Sequence, residues 1–396
     1  YREKCRRGFR YNKKEFEGEK IDMIGLDTGH LVYNYGTKLQ AYAMQKLLSQ
    51  KGEKVEIIQW HQKDFKVLNG ITDSIKKLKK IKNNYGFKYW KSINERYKVL
   101  DEFNDKYNIH KFYGTFEQMK DFTQIYDKIF CGSDQAWLPG NVERHWYTLE
   151  FGNNDIFKAA YAPSFGIESI ESKYEQQYKH FLSQLDAISV REVSGQKIIK
   201  QLLGKEVPVV LDPTLLMTKD EWNELKNESL IKKPFNGEYV FCYFLGQNKE
   251  HRNSVKKIAK ELNIKIVNLA HFSGYCEADV DFADEDLYNV SPQDFIYLIE
   301  NAKYVCTDSF HCTAFSIQYH KNFTVFHRFK STDTKSTNTR LHSLLGQLGL
   351  EDHITSDGKN VEVSKIDYNY VDDKLQLLRK ESNAYMQSAL RGEKNV

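Results

Sequence analysis

Short apolar runs that end in polar turns alternate with helix-like segments along the chain, and this alternation restricts the fold more than any other feature. The stretch "KIDMIGLDTGH" at 20–30 is typical of a buried strand followed by a turn. Leu39, Ala43 and Leu47 then recur at helical spacing, and "VEIIQW" predicts the next strand. A strand–helix–strand unit of this kind predicts a parallel sheet with a right-handed crossover.

The same alternation returns in the second half of the chain. Predicted strands lie at 239–246, 264–270, 303–308 and 323–327. Predicted helices lie between or after them, at 249–262, 291–301 and 310–319. Two alternating halves predict an α/β protein built from two doubly wound Rossmann-like domains that face each other across a cleft.

The length of the chain also indicates more than one domain. It has 396 residues, whereas a single hydrophobic core rarely grows past about 250–300 residues. We expect an N-terminal domain at 20–205, a C-terminal domain at 206–350, and a helical tail at 351–396 that crosses back to the first domain. Within the first domain, the basic and aromatic stretch 61–120 is predicted to be helical.

Several classes of protein are disfavoured by what the sequence lacks. It has no apolar run of about 18 residues, which predicts no transmembrane helix, and its start has no apolar segment of a secretory signal. The six cysteines form no C-x-x-C pair, so we expect a reduced, cytoplasmic protein without disulfides or a zinc site. Neither a GxGxxG fingerprint nor a P-loop is present. We therefore predict no metal and no organic cofactor.

Positive charge is concentrated in one stretch. The net charge is only +4, but residues 76–98 contain nine Lys or Arg and a single Glu. This pattern is typical of a solvated helix face. The alternative is a surface that contacts an anionic membrane or a phosphorylated lipid carrier. Nothing else in the sequence resembles a nucleic-acid recognition motif, and we predict no nucleic-acid partner.

The segment "CTDSFHC" at 306–312 joins a predicted strand to a predicted helix. Asp308 or Ser309 suits the N-cap position of that helix. His311 then falls in its first turn, where exposed backbone N–H groups attract an anion and an imidazole can transfer protons near neutral pH. A helix cap with a core histidine and a catalytic site both fit this pattern.

Three other segments place polar side chains at strand ends or helix starts. In "GSDQAW", Asp134 projects from a strand end, as a turn residue or as part of a site. In "ISVRE", Arg191 either pairs with Glu192 at the surface or grips a phosphate or carboxylate. In "NYGTKLQAY", residues 34–36 either begin a helix or contact a ligand.

Taken together, these segments resemble the polysaccharide pyruvyl transferase family over roughly 21–350. The resemblance rests on seven segments in order, "NYGTKLQAYAMQKLL", "YDKIFCGSDQAW", "YAPSFG", "ISVREVSGQ", "VVLDPTLLM", "KYVCTDSFHCTAFSI" and "TRLHSLLGQLGL". It implies a fold like that of B-type (GT-B) glycosyltransferases. It also implies phosphoenolpyruvate as donor, a sugar as acceptor and a cyclic pyruvate ketal as product, in capsular or exopolysaccharide biosynthesis.

The resemblance also implies roles for particular residues. His311 matches the donor-site histidine and is the predicted general acid, because the enol carbon must be protonated. Arg191 matches a donor-binding arginine, and Asp134 is predicted to act as a base or to bind the acceptor hydroxyl. Further substrate-binding residues are predicted from the same segments: Asn34, Tyr35, Gly36, Ser133 and Ser309.

The chain departs from the family pattern at one position. Relatives often carry an arginine two residues before the histidine, and here that residue is Ser309. Arg340 is the predicted replacement for this cation, with Arg328 as the second choice. Because such polymers are commonly built on a lipid pyrophosphate, a lipid-linked oligosaccharide is one expected acceptor, reached at the inner face of the membrane.

Two rival functions remain open at this stage. One is a nucleotide-sugar-dependent glycosyltransferase on the same architecture, with Glu285 and Asp286 as the acids that would bind a ribose. The other is a non-catalytic sugar-binding protein.

Overall fold

A computed structural model of the chain describes residues 23–62, 87–231, 233–234, 237–272, 275–330, 333, 336–356, 358, 363 and 365–396. The first half forms a six-stranded parallel sheet with the strand order β3-β2-β1-β4-β5-β6. Its strands are β1 (Met23–Asp27), β2 (Lys54–Gln62), β3 (Ile109–Gly114), β4 (Lys128–Cys131), β5 (Phe157–Ala160) and β6 (Ala187–Ile188).

Helices connect and cover these strands. They are α1 (Tyr35–Ser49), α2 (Phe87–Glu102), α3 (Phe116–Phe122), α4 (Pro139–Val142), α5 (Ser172–Leu182) and α6 (Val193–Leu203). The start of α1 is fixed locally, because the side chain of Asn34 accepts a hydrogen bond from the Thr37 N–H as an N-cap.

The second half forms another six-stranded parallel sheet, with the order β12-β11-β10-β7-β8-β9. Its strands are β7 (Tyr239–Tyr243), β8 (Lys265–Leu269), β9 (Glu285–Leu287), β10 (Tyr304–Thr307), β11 (Asn322–Phe326) and β12 (Ile354–Thr355). The helices that precede, cover and follow this sheet are α7 (Pro213–Leu216), α8 (Lys219–Lys226), α9 (Lys249–Leu262), α10 (Pro292–Asn301), α11 (Phe310–Gln318), α12 (Thr339–Leu348) and α13 (Tyr368–Leu390).

Both sheets have the same topology. When the strands of each sheet are counted in chain order, both follow 3-2-1-4-5-6, the order of dinucleotide-binding Rossmann domains. The prediction of two doubly wound Rossmann-like domains is therefore confirmed. In such sheets ligands bind outside the carboxyl ends of the strands where the order reverses, which is between β1 and β4 and between β7 and β10.

The prediction that 61–120 is helical is wrong for part of that stretch. Strand β2 continues to Gln62, and 109–114 forms β3 at the edge of the first sheet. Side chains of β3 are mostly half-buried or exposed, so the segment lacks the continuous apolar run by which the other strands were recognised. The short edge strand β9 was missed for the same reason.

The two domains share a continuous hydrophobic core. One cluster of buried side chains includes Ile24 and Leu26 of the first sheet as well as Val305 and Phe323 of the second. Tyr35, at the start of α1, is fully buried, and its ring stacks on Phe295 of α10 with the ring centroids 5.1 Å apart. The two halves are therefore packed together rather than linked loosely.

The last helix, α13, contacts the first domain. The Ser382 hydroxyl accepts a hydrogen bond from the Leu211 N–H at 2.9 Å, and the Tyr385 hydroxyl donates to the Ala160 carbonyl at 2.9 Å. Ala160 is the last residue of β5, so the helix reaches the first sheet. The domain boundaries at 205/206 and 350/351 stay predictions.

Candidate active site

Polar turns from both domains meet at the seam between the two sheets. Asp134 follows β4 of the first domain, and His311 begins the helix that follows β10 of the second. Between them lies a carboxylate that the sequence analysis did not select, Asp212. The predicted arrangement of two domains that face each other is therefore confirmed, with the carboxyl ends of both sheets directed toward one site.

Asp212 is the centre of this site. It is fully buried, and its Oδ2 accepts hydrogen bonds from Arg191 Nη1 at 2.6 Å and from Ser133 Oγ at 2.8 Å. The same oxygen lies 3.5 Å from His311 Nε2. Burial alone would raise the pKa of Asp212, but His311 and Arg191 hold it well below its usual range. Asp212 is thus an ionised carboxylate shared by a histidine and an arginine.

Asp212 is difficult to recognise as a site residue from the sequence because it also has a local structural role. Its Oδ1 accepts hydrogen bonds from the N–H (3.0 Å) and the hydroxyl (2.7 Å) of Thr214, so Asp212 is the N-cap of α7. Asp followed by Pro and Thr is typical of a helix start. The signal that points beyond a cap is its position at the end of the apolar run "VPVVL", where a strand-end carboxylate resembles that of Asp134.

His311 lies against the first domain. A Cβ atom placed on Gly36 would come within 2.1 Å of His311 Nδ1, so the backbone at the start of α1 touches one side of the imidazole. This close approach explains why position 36 carries no side chain. Among the described residues, His311 Nε2 has no hydrogen-bond partner, although Asp212 is at ion-pair distance.

Asp134 is held at the edge of the same cluster. Its Oδ2 accepts a hydrogen bond from Thr37 Oγ1 at 2.6 Å, and its Oδ1 lies 3.5 Å from Arg191 Nη2. Its φ of 79° is in the left-handed region, which a short polar side chain tolerates better than most. Burial would raise the pKa of Asp134, but the charges of His311 and Arg191 bring it below its ordinary value.

Arg191 is buried and does not pair with its neighbour Glu192 at the surface. Its guanidinium contacts Asp212 and Asp134, and its carbon lies 4.2 Å from the centre of the Phe310 ring. Glu192 points elsewhere and accepts hydrogen bonds from the loop at 164–166. The predicted surface pair with Glu192 is therefore wrong, because both side chains are buried, and the predicted grip of Arg191 on a phosphate or carboxylate ligand stays a prediction.

Arg340 also lies near Phe310, with its guanidinium carbon 5.9 Å from the ring centre. It is only 6% exposed, and it donates hydrogen bonds to the carbonyl and hydroxyl of Thr337. Within the described residues it forms no ion pair with a carboxylate. Burial, followed by the charges of Arg191 and Arg328, lowers the pKa of Arg340 to about 9. Burial and the two neighbouring cations thus outweigh the opposing charges of Asp134 and Glu192, neither of which is within ion-pair distance of Arg340 among the described residues.

Arg328, the second choice for the missing cation, is already partnered. Its Nη2 donates to the Asp308 carbonyl at 3.0 Å, and its Nε lies 3.8 Å from the Asp308 carboxylate. Arg340 is therefore the better placed of the two to meet an anion.

The remaining predicted residues occupy structural positions around the site. Ser309, rather than Asp308, is the N-cap of α11. The Ser133 Oγ also lies 2.9 Å from the Ala162 carbonyl oxygen, so its single proton is shared between that carbonyl and Asp212. The Tyr35 hydroxyl donates to the Val290 carbonyl at 3.0 Å and has no exposed surface. Their substrate-binding roles, and that of Asn34 at the cap of α1, stay predictions.

The site can be compared with known proteins at this point. The model of the polysaccharide pyruvyl transferase family matches residues 34–327. The chain belongs to this family. Membership supports a transferase with a pyruvyl-transfer role in polysaccharide synthesis, and it suggests a sugar or polysaccharide as acceptor.

Solved structures with similar overall folds are distant in sequence. A UDP-GlcNAc 2-epimerase from Neisseria meningitidis bound to UDP-GlcNAc is 9% identical over 93% of this chain and 94% of that chain, with a TM-score of 0.48. An S. aureus MnaA–UDP structure is 11% identical over 94% and 91%, with a TM-score of 0.49. The E. coli ADP-heptose LPS heptosyltransferase II is 9% identical over 91% and 99%, with a TM-score of 0.37. No curated protein matches the chain in sequence.

The acids considered for a rival glycosyltransferase lie in the edge strand of the second sheet and not in the cluster around Asp212. Glu285 and Asp286 are in β9, the edge strand of the second sheet. Asp286 Oδ1 accepts a hydrogen bond from the Asn268 side chain at 2.7 Å. In the described part of the chain, no cluster of His, Cys, Asp and Glu has a metal-binding arrangement.

The basic stretch at 76–98 is described only from residue 87 onward. Arg96, one of its nine cations, is fully buried. It donates hydrogen bonds to the carbonyls of Tyr288 (2.7 Å), Leu287 (3.3 Å) and His271 (3.4 Å) in the second domain. Arg96 therefore packs between the domains, whereas the side chains of Lys91 and Lys98 on the same helix are 65% and 76% exposed, as predicted for a solvated helix face. Residues 76–86 lie outside the described residues, and no described helix is both long and apolar enough to span a membrane.

Proposed function

We propose that this protein transfers the enolpyruvyl group of phosphoenolpyruvate to a sugar and closes a cyclic pyruvate ketal across two of its hydroxyls, in capsular or exopolysaccharide biosynthesis. Arg340 is the observation that carries the proposal. An unpaired buried guanidinium is costly, and its cost is removed when an anionic ligand supplies the opposite charge. Phosphoenolpyruvate carries two anionic groups close together.

Arg191 offers a second contact beside Arg340. Although its Nη1 is bound to Asp212, its Nε is buried without a hydrogen-bond partner among the described residues. Both guanidinium groups lie near the Phe310 ring, with their carbons 4.2 Å and 5.9 Å from its centre. A donor with a phosphate and a carboxylate suits two neighbouring arginines.

His311 is the proposed general acid for carbon C3 of the donor. Its Nε2 has no hydrogen-bond partner in the described part of the chain, and the Asp212 carboxylate lies 3.5 Å from this nitrogen. Asp212 is then a positioning residue, because it orients His311 and Arg191 together. Protonation of C3 leaves an oxocarbenium-like centre at C2, which one sugar hydroxyl attacks while Asp134 accepts its proton.

The donor can be tested by ligand-induced thermal stabilisation with phosphoenolpyruvate and UDP-glucose in parallel. Phosphoenolpyruvate should raise the melting temperature, because a ligand at 100 times its Kd stabilises the folded state by about 2.7 kcal/mol. A shift with UDP-glucose alone would favour the nucleotide-sugar glycosyltransferase. A shift with neither would favour a non-catalytic sugar-binding protein.

The acceptor is proposed to be an oligosaccharide on a lipid pyrophosphate, which would bring the enzyme to the inner face of the membrane. The support is the charge of 76–98, since each Lys or Arg near an anionic surface contributes about 1 kcal/mol. Sedimentation with anionic vesicles at low and high salt tests this, with Lys76, Lys77, Lys79 and Lys80 changed to Gln in parallel. Equal sedimentation of both proteins would remove the membrane from the proposal.

A further inference from the structure

The carboxyl end of β1 carries a carboxylate that the donor site does not use. Asp27 is the last residue of β1 and lies opposite Cys131 in the parallel pairing with β4. Its carbonyl accepts the Gly132 N–H at 2.9 Å, so Asp27 lies at the same carboxyl end of the sheet as Asp134. Both lie where the strand order reverses and where such sheets bind ligands.

The environment of Asp27 is unusual for an aspartate. Burial raises the pKa of Asp27 to about 7, and the backbone N–H of Tyr147 offsets part of that effect. Asp27 nevertheless keeps partial contact with solvent. Among the described residues, no side chain donates a hydrogen bond to its carboxylate. Among the described residues, its carboxylate is therefore met by a backbone N–H but by no side-chain donor.

The segment that supplies Tyr147 has a strained backbone. His145, Tyr147 and Leu149 have φ values of 56°, 61° and 57°, in the left-handed region. Each such residue costs roughly 1–2 kcal/mol. The segment is held by the Trp137 indole, which donates to the Tyr147 carbonyl at 3.0 Å. Strain of this kind persists where the surrounding structure fixes it, and it is frequent at ligand-binding sites.

This backbone directs the Tyr147 hydroxyl toward Asp134. A Cβ atom on Gly29 would lie 3.4 Å from Tyr147 Oη and 3.1 Å from Thr37 Cγ2. Thr37 is the residue whose hydroxyl donates to Asp134 at 2.6 Å. Within the described residues the Tyr147 hydroxyl has no hydrogen-bond partner. Burial and the charges of Asp27 and Asp134 raise the pKa of Tyr147 above its ordinary value, as expected if it lies near both carboxylates.

Exposed apolar side chains surround these polar groups. Leu31 and Val32 are each 49% exposed in the loop after β1, and Trp146 is 48% exposed beside Tyr147. Val32 Cγ2 lies 3.8 Å from the same Cβ position on Gly29, so it borders the Tyr147 hydroxyl. Carboxylate and phenol groups next to apolar surface suit a sugar, which presents hydroxyls at its edge and C–H groups on its face.

We propose that Asp27 and Tyr147 form the binding site for the acceptor sugar, with the Tyr147 hydroxyl and the Asp27 carboxylate holding one of the two hydroxyls that become bridged. The inference rests on the proposed function and deepens it. Asp134 and Thr37 then hold the other hydroxyl, nearer to the donor.

The chemistry of ketal formation requires a second base. Two hydroxyls each lose a proton, donor carbon C3 gains one, and the departing phosphate gains one. Two C–O bonds form at C2, and the bond between C2 and the phosphate oxygen breaks, so atoms and charge balance. Asp134 takes the proton of the first hydroxyl. Asp27 takes the proton of the second as that hydroxyl closes the ring and phosphate leaves.

Tyr147→Phe and Asp27→Asn test the site, because each keeps the size of the side chain. Binding of methyl β-galactoside and methyl α-mannoside, which offer 1,3- and 1,2-diols, is followed by saturation-transfer NMR in the presence of phosphoenolpyruvate. We expect wild type to bind at least one glycoside and both variants to bind it at least about fivefold more weakly, the effect of one lost hydrogen bond. Equal signals from all three proteins, or none from wild type, would overturn the inference.

Two further measurements separate this inference from the proposed function. Calorimetric binding of phosphoenolpyruvate should be unchanged in both variants, because neither residue contacts the donor site. If wild type fails to bind phosphoenolpyruvate, the proposed function fails. If donor binding is intact but the variants bind the sugar normally, only the acceptor site is wrong. Tyr113→Phe is the matched control, since Tyr113 is 59% exposed on β3 of the same domain.

Discussion

The carboxyl ends of the two sheets meet at one seam and share one strand order, but they use their polar groups differently. At the second sheet, the Asp308 carboxylate accepts the N–H groups of Leu245 and Gly246, both at 2.7 Å. Beside it, Arg252 donates to the Gly246 carbonyl at 2.9 Å and pairs with Asp279 at 2.7 Å. Protein groups therefore occupy the amides after β7, where a nucleotide-binding Rossmann domain holds phosphate.

The carboxyl end of the first sheet is less occupied by other protein groups. Asp27 and the Tyr147 hydroxyl have no side-chain hydrogen-bond partners among the described residues, and Asp134 keeps some exposure. Strand order alone therefore does not decide which groups are free at the carboxyl end of a Rossmann-like sheet. In the second domain the Asp308 carboxylate accepts the amide N–H groups that would otherwise be open to a phosphate, which agrees with the proposed use of the arginines at the seam.

We expect the largest effect from removing the His311 imidazole, which lies between the carboxyl ends of the two sheets. His311→Ala should lower kcat by about 10²–10⁴-fold, because a general acid contributes about that much. Phosphate release from phosphoenolpyruvate in the presence of acceptor measures it. His320→Ala is the matched control, since His320 is 47% exposed and pairs with Asp372 away from the site. Activity of His311→Ala within threefold of wild type would contradict its role.

Donor affinity tests the arginines of the seam. Arg340→Ala should weaken phosphoenolpyruvate binding by about 1.5–3 kcal/mol, the usual contribution of hydrogen bonds to charged groups. Arg191→Ala should act similarly, and Lys should restore Arg191 only in part because it lacks the planar fork. Calorimetry gives the Kd, with Arg391→Ala, exposed by 60%, as control. Unchanged binding in Arg340→Ala would move the role to Arg328.

Asp308→Asn tests the contacts that the Asp308 carboxylate makes at the carboxyl end of the second sheet. The variant leaves Arg328 without its counter-charge and weakens the hydrogen bonds that Asp308 accepts from the N–H groups after β7. We expect a loss of about 2 kcal/mol in the free energy of unfolding, less than for a fully buried pair because the Arg328 side chain is 20% exposed. Denaturant unfolding measures it, and Asp372→Asn, 39% exposed, is the control. A loss of unfolding free energy equal to that of Asp372→Asn would mean that Asp308 does not stabilise the carboxyl end of the second sheet.

The Asp27 carboxylate, at the carboxyl end of the first sheet, should affect the pH dependence of stability. The pKa of Asp27 is about 7 in the folded protein and 3.8 ordinarily, so the folded state binds the proton more tightly. Its stabilising contribution is complete below pH 4 and is lost as pH rises through 7. Asp27→Asn should remove this loss and be more stable than wild type at pH 8, by about 1–2 kcal/mol after allowance for partial exposure. Parallel pH profiles would contradict the shifted pKa.

Much of the donor side could be predicted from sequence because strand ends that carry polar residues converge in a parallel sheet. His311, Asp134 and Arg191 each follow a recognisable apolar run, and the structure brings them to one cluster. Asp212 was missed because only one of its oxygens serves the local cap, whereas the other is bound by residues distant in the chain. Tyr147 was missed because its direction depends on a left-handed backbone, which no periodic pattern reveals.

The stack of Tyr35 on Phe295 has a consequence for how the molecule melts and evolves. This contact belongs to a cluster of buried side chains that includes residues of both sheets, in addition to the separate buried cluster that each half has. Because unfolding of either half would expose the shared cluster, we expect a single cooperative unfolding transition in calorimetry rather than two. Replacing either domain with another would likewise leave the apolar side chains of this shared cluster without their partners.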